Sequence, residues 1–277
     1  MSYDTPAPGT SGSGNPAQKP GTTSDKPLFS FEQVASICDH TNLSLKATPK
    51  DISNLCAEAK QYGTASVCVR PEYVRQAVRE LQGTDVAVCA VVGFPFDIHP
   101  QVKPGSAYFP NGYPSTQDKV LETLAATAAG ATEIDVVANN ALLLEGRLQD
   151  YQRDLYSVIA AAHAQGAKVK VIFENCFLPK ELKVAAYNAA LVAGADYLKT
   201  ATGFGTYGAT EEDLALMKEV AGDHAGIKAA GSVNLKNYET MILTMLGLKK
   251  ENITPEFRLD KTKVRIGESS LLKGMLN

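Results

Sequence analysis

The stretch Ala193-Gly194-Ala195-Asp196-Tyr197-Leu198-Lys199-Thr200, AGADYLKT, runs from a glycine through a short apolar segment and closes on a lysine. Its outline recurs as YGTASVCV at 62–69, AGATEIDVV at 129–137 and QGAKVKVIFE at 165–174. Gly63, Gly130, Gly166 and Gly194 stand where helices should stop, because glycine adopts the positive φ of a helix end without steric cost. The segments that follow them have the length and β-branched or aromatic content of strands.

Working outward, strands are expected at Val34–His40 (its first half open to a helical reading), Ser66–Arg70, Val86–Val92, Glu133–Val137, Lys168–Phe173, Tyr197–Thr200, Gly226–Ala229 and Val264–Ile266. Helical patterns fill the gaps at 49–62, 71–81, 115–129, 148–165, 179–193, 210–221, 234–246 and 269–276. Strands that alternate with helices run parallel and are joined by crossovers. Eight such units predict an α/β fold, a single (β/α)8 TIM barrel over residues 28–277. The alternative, an open doubly wound sheet, usually carries G-x-G-x-x-G after its first strand; Asp39-His40-Thr41-Asn42-Leu43 has no such pattern.

Composition narrows the function classes. Residues 1–27 are rich in Gly, Ser, Thr and Pro and hold no apolar run, so a disordered tail without a secretory signal is expected there. No run of about 18 apolar residues predicts a membrane span. Net charge is −3 with no block of like charge, which argues against nucleic acid as a partner. The five cysteines are an odd count without C-x-x-C, so a disulfide framework is not expected and a reducing cytoplasm fits. The four histidines lack zinc-site spacing, so a metal site is not expected. The Pro- and Gly-rich segment 93–115 is too long for an ordinary βα loop and is expected on the catalytic face, as a lid or a surface excursion.

Counting five residues from each helix-ending glycine gives Cys68, Asp135, Val171 and Lys199, near the carboxyl ends of their strands. Side chains alternate between two faces along a strand, so Asp135 and Lys199, flanked by apolar residues, would face the barrel axis at the catalytic end. Lys199 can be read as a strand-end lysine reaching solvent. The loop after it, with Thr200, Thr202, Gly203 and Gly205, is suited to an anion and favours a role in chemistry. Lys228 ends the seventh strand, beside Lys199. An ordinary lysine, with a pKa of about 10.4, is neutral in about one molecule in 2,500 at pH 7. A cationic neighbour disfavours double protonation and can free a nucleophilic amine; binding phosphate is the competing reading of two such lysines. Asp135 is either a turn cap or a proton relay between them. Asp39 is a weaker candidate of the same kind. Glu174 and Asn175 could line the same mouth. Cys68 could line the site or pack as a small apolar residue. For phosphate, the loops after strands seven and eight offer Gly231, Ser232, Ser269 and Ser270, with Ser269 or Ser270 capping the final helix; a capped C-terminal helix and nothing more is the competing reading. Glu268 should point away.

DHTNL (39–43), VCV (67–69), VVGFP (91–95), GATEIDVV (130–137), KVIFE (170–174), DYLKTATGFG (196–205), GIKAAGSV (226–233) and RIGESSLL (265–272) together resemble the deoxyribose-phosphate aldolase family, in order, from about residue 30 to the C-terminus. The resemblance implies a TIM-barrel class I aldolase of deoxyribonucleotide catabolism, with Lys199 as Schiff-base lysine, Lys228 as second lysine and Asp135 as proton relay. It implies reversible cleavage of 2-deoxy-D-ribose 5-phosphate to acetaldehyde and D-glyceraldehyde 3-phosphate, without a cofactor. It places Gly203, Gly231, Ser269 and Ser270 in phosphate-binding loops and makes a homodimer the expected state. Another phosphorylated sugar, or a non-catalytic sugar-phosphate-binding barrel, stands as the alternative. The chain departs from the family's pattern in four ways. Ser232 stands where a second glycine is usual, and Ala201 stands where a serine is usual. Segment 93–115 is longer than usual, and the ending is Gly-Met-Leu-Asn where some members have a tyrosine.

Overall fold

The computed structural model describes residues 26–95 and 114–277. The strands are β1 (Cys38–Asn42), β2 (Ser66–Val69), β3 (Ala87–Val92), β4 (Glu133–Val137), β5 (Lys168–Ile172), β6 (Tyr197–Lys199), β7 (Gly226–Ala230) and β8 (Val264–Glu268). All pair in parallel with their sequence neighbours, and β8 pairs with β1, which closes the expected barrel. Around it lie α1 (Phe31–Ala35), α2 (Pro49–Tyr62), α3 (Val74–Glu80), α4 (Thr116–Ala128), α5 (Asn140–Leu144), α6 (Leu148–His163), α7 (Lys180–Ala193), α8 (Glu211–Ala221), α9 (Tyr238–Leu246) and α10 (Leu271–Met275). The disordered tail expected at 1–27 falls outside the described residues except for its last two, and most of segment 93–115 falls outside them as well.

Local chemistry explains where elements begin and end. Ser30 and Gln33 form a reciprocal cap, each side chain accepting the other's backbone N–H, so a helix starts there. The first expected strand, Val34–His40, therefore divides: Val34 and Ala35 end α1, and β1 starts at Cys38. Thr48 and Asp51 form the same box before α2, with Pro49 at the first helical position. At the other end of α2, Gly63 takes φ 69°. The one-turn α5 was not anticipated; it has no side-chain cap to announce it.

Strand alternation produces two apolar regions. Outward residues such as Val67, Ala90, Val136, Val171 and Ile227 join the main core between barrel and helices. Cys68, Cys89, Val91, Phe94, Val137 and Ile172 form a separate, smaller cluster inside the barrel. At the opposite end of the interior, Gly226 is the register partner of Tyr197. A Cβ on Gly226 would stand 2.4 Å from the Tyr197 ring and 2.6 Å from the Thr262 carbonyl oxygen. The ring thus fills the space that a side chain would take. It lies 5.9 Å from the Lys170 ammonium and 5.7 Å from the Arg265 guanidinium, and its hydroxyl donates to the Lys261 carbonyl at 2.8 Å.

Gly226→Ala should accordingly cost about 1–3 kcal/mol through overpacking. Urea denaturation measures it, and an unchanged midpoint would show that Tyr197 is not fixed against this backbone.

Candidate active site

The interior carries an unusual number of charges. Asp39 comes from β1, Glu133 and Asp135 from β4, Lys170 from β5, Lys199 from β6, Lys228 from β7 and Arg265 from β8, and all seven are buried. Asp135 sits at their centre. Its Oδ2 accepts from Lys199 Nζ and from Lys228 Nζ, each at 2.7 Å. Its Oδ1 accepts from Lys170 Nζ and from the Cys89 thiol, each at 3.0 Å. Lys228 also meets Asp39 Oδ2 at 2.5 Å. Asp39 Oδ1 accepts from Ser66 Oγ and from Arg265 Nε, each at 2.7 Å. Glu133 bridges Lys170 at 2.6 Å and Arg265 at 2.9 and 3.1 Å.

Neighbours outweigh burial at Asp135, Asp39, Lys228 and Lys170. Burial alone would raise the Asp135 pKa, but Lys170, Lys199 and Lys228 hold it well below the usual carboxylate range. Asp39 is likewise depressed, burial being overcome by Arg265, Lys228 and Lys170. Burial disfavours the charge on Lys228, yet Asp135 and Asp39 raise its pKa well above the ordinary lysine value. Lys170 is raised in the same manner, against its burial, with Asp135 the strongest of the groups that raise it. Lys228 and Lys170 are therefore held as ammonium ions.

Lys199 is the last residue of the short β6 and the register partner of Lys228. The expected adjacency of the two lysines is thus observed, and one carboxylate oxygen lies between them. Thr200 fixes the strand end: its hydroxyl donates to the Ala230 carbonyl and accepts the Ala230 N–H, both at 3.0 Å. Thr202 follows, buried, with both its N–H and its hydroxyl directed at Glu174 Oε2. Its oxygen also accepts the Phe204 N–H at 3.0 Å. Glu174 is buried at φ 48°, a left-handed conformation that costs a non-glycine residue about 1–3 kcal/mol, and burial raises its pKa. Asn175 turns away from the mouth, its side chain accepting from the Tyr187 hydroxyl of α7 at 2.9 Å.

The loops after β6 and β7 touch backbone to backbone. A Cβ on Gly208 would lie 2.3 Å from the Gly231 carbonyl carbon, and one on Gly231 would lie 2.9 Å from the Gly208 Cα. Gly203 and Gly231 both take positive φ, and Gly231 is followed by Ser232 at φ 61°. The serine keeps a left-handed turn despite its Cβ, its hydroxyl accepting the Gly208 N–H at 3.3 Å. Ser269 and Ser270 are exposed beyond β8. The expected helix cap is not made: α10 begins at Leu271, and the side chain of Ser270, the residue before it, makes no capping hydrogen bond. Glu268 does point out of the barrel, its Oε1 lying 2.5 Å from His40 Nδ1.

A cavity of about 530 Å³ opens beside these loops. Its lining includes His40, Glu58, Thr202, Phe204, Ser269 and Lys273. Phe204 meets Phe94 edge to face, ring centroids 5.6 Å apart.

Lys170, Glu133 and Arg265 were missed in the sequence. Counting from Gly166 selected Val171, which lies in the outer core. The approach to β5 is one residue shorter than the approach to β4, and Lys170, not Val171, is the register partner of Asp135. Two-residue alternation back from Asp135 would have found Glu133. Cys68 packs in the interior apolar cluster beside its register partner Cys89. The ligand atoms of Cys68, Cys89 and Asp135 lie within 4.8 Å of one another. Three lysine side chains already reach Asp135, so a divalent cation would have to displace them; the residues fit an ion-pair cluster better than a metal centre.

Residues 33–246 match the family model described as DeoC/LacD family aldolase. The chain belongs to that aldolase family. It is 44% identical over 211 residues to a deoxyribose-phosphate aldolase of Aciduliprofundum boonei, covering 76% of this chain and 88% of the relative. One from Bacillus mycoides is 43% identical over 203 residues, covering 73% and 84%. The crystal structure of a putative deoxyribose-phosphate aldolase from Coccidioides immitis superposes with a TM-score of 0.73 at 35% identity, over 91% of this chain and 89% of that one. This DeoC/LacD chain is therefore an aldolase, a carbon–carbon lyase, on a TIM barrel.

Removing one member of the cluster leaves its partners buried and uncompensated, which costs about 3–5 kcal/mol. Lys170→Met should lose stability on that scale in guanidinium unfolding. Adding Glu133→Gln should restore part of it, and strictly additive losses would contradict coupling through this ion pair.

Proposed function

We propose that the chain reversibly cleaves 2-deoxy-D-ribose 5-phosphate to acetaldehyde and D-glyceraldehyde 3-phosphate, through an imine on Lys199. The observation that carries this reading is the shared oxygen: Lys199 and Lys228 both donate to Asp135 Oδ2. Imine formation needs an amine lone pair on one lysine beside groups able to move protons. Among the described residues, Lys228 is paired with two carboxylates and Lys170 with three, whereas Lys199 is paired with Asp135 alone, which the others share.

Lys199 Nζ adds to the aldehyde carbon, and loss of water from the carbinolamine gives the protonated imine. The sugar's C3 hydroxyl then gives up its proton as the C2–C3 bond breaks. The electron pair of that bond passes into the imine, leaving an enamine and releasing glyceraldehyde 3-phosphate. Protonation of the enamine carbon and hydrolysis release acetaldehyde and regenerate the lysine. Asp135, acting with water, carries protons in these steps, and Lys228 holds positive charge beside the nitrogen. Asp39 anchors Lys228 through its Oδ2. Thr202, Gly203, Gly231, Ser232, Ser269 and Ser270 receive the phosphate end, and Cys68 belongs to the apolar wall. The names of the relatives support this substrate.

The reading extends to residues 28–277 as one catalytic domain, to the cytoplasm and to a homodimer. Among the described residues no helix is long and apolar enough to cross a membrane. The Aeropyrum pernix relative, 26% identical, is described as tetrameric.

Borohydride reduction in the presence of acetaldehyde should leave a two-carbon group on Lys199 in a peptide map. Modification at another lysine, with Lys199 unlabelled, would overturn the assignment.

A further inference from the structure

None of Thr202, Gly203, Gly231, Ser232, Ser269 and Ser270 carries a charge, yet a sugar phosphate brings one to two negative charges to them. Two of their hydroxyls are also engaged. Thr202 is tied to Glu174 and the Phe204 N–H, and Ser232 accepts from Gly208. A cation nearby would offset that charge, and the cavity that contains Thr202 and Ser269 is also lined by Lys273. Lys273 lies one helical turn beyond Ser269, on α10, and its side chain is 53% exposed.

Lys273 is not loose on the surface. Its Nζ lies 2.9 Å from Glu58 Oε1 of α2. Glu58 Oε2 lies 2.8 Å from His40 Nε2 on β1, and His40 Nδ1 lies 2.5 Å from Glu268 Oε1 on β8. Burial works against charge on His40, but Glu268 and Glu58 outweigh it and its pKa is raised. With His40 charged, the chain contains two carboxylates and two cations. Lys273 can then turn to an incoming dianion without stranding Glu58, which keeps the imidazolium. Glu268 directly precedes Ser269, so the same chain anchors the start of the loop that would contact the phosphate.

We propose that Lys273 is the cation of the phosphate subsite and sets the preference for phosphorylated over unphosphorylated sugar, with Glu58, His40 and Glu268 as positioning residues behind it. This rests on the deoxyribose-phosphate reading above and adds the group that recognises the charge. Charge-assisted hydrogen bonds to phosphate are among the stronger polar contacts, so their loss is measurable.

The test compares the kcat/KM ratio for 2-deoxyribose 5-phosphate over 2-deoxyribose in the wild type, Lys273→Gln and Lys273→Arg. The ratio should fall about tenfold or more in Lys273→Gln, since a contact to a charged group is lost, and recover in large part in Lys273→Arg. An unchanged ratio in Lys273→Gln overturns the proposal. A calorimetric titration with inorganic phosphate gives a readout independent of turnover: weaker binding to Lys273→Gln than to wild type supports the assignment, and equal binding overturns it. If the wild type cleaves neither sugar, the activity reading fails by itself, and the phosphate titration still decides Lys273.

Discussion

The structure depends on one buried carboxylate. Asp135 lies in the barrel interior and binds lysines from three consecutive strands, Lys170, Lys199 and Lys228. A single ammonium placed in that interior would lose several kcal/mol of hydration, and such a group ordinarily gives up its proton instead. The cluster makes the charges tolerable by pairing them, and the pairing is uneven. Among the described residues, Lys228 and Lys170 are each held by more than one carboxylate, whereas Lys199 pairs with a single carboxylate oxygen that it must share. This asymmetry sets Lys199 apart from the other two, and it is the feature on which its proposed role as the reactive amine rests.

The barrel creates the asymmetry through register. Inward positions recur every second residue, and the pairings Asp135 with Lys170, Lys199 with Lys228 and Lys228 with Arg265 place the charges side by side around the axis. The Tyr197 ring, packed over the side-chain-free Gly226, lies against Lys170 and Arg265, and the small apolar cluster shares the interior, with Val91 and Ile172 beside Asp135 and Lys199 in register. The loops after β6 and β7 approach so closely that glycine is required at Gly208 and Gly231.

Much of this was legible in the sequence. The glycine-then-strand outline located β2, β4, β5 and β6, and the alternation of elements predicted the closed barrel. Asp135, Lys199 and Lys228 were legible because each is a charged residue set among apolar neighbours in a short strand. Asp39 was recognised as the weaker partner, and it proves to be an anchor of Lys228. Lys170 was hidden by a one-residue difference in the approach to β5, and Arg265 because an arginine in a short strand looks like an edge residue until the barrel closes around it. The His40–Glu58–Lys273 chain joins residues far apart in sequence, and no local pattern announces it. The missing Ser270 cap shows the limit of motif reading: the residue type is right, but its side chain makes no capping bond.

The pH dependence of imine formation tests the central claim most directly. In Lys228→Leu, shown to be folded by circular dichroism, Asp135 would have one fewer ammonium to bind and would hold the Lys199 proton more firmly. The midpoint for borohydride-trapped acetaldehyde adduct should therefore move to higher pH than in the wild type. A profile that superposes on the wild type would contradict the account, because it would mean that the second lysine has no influence on the first.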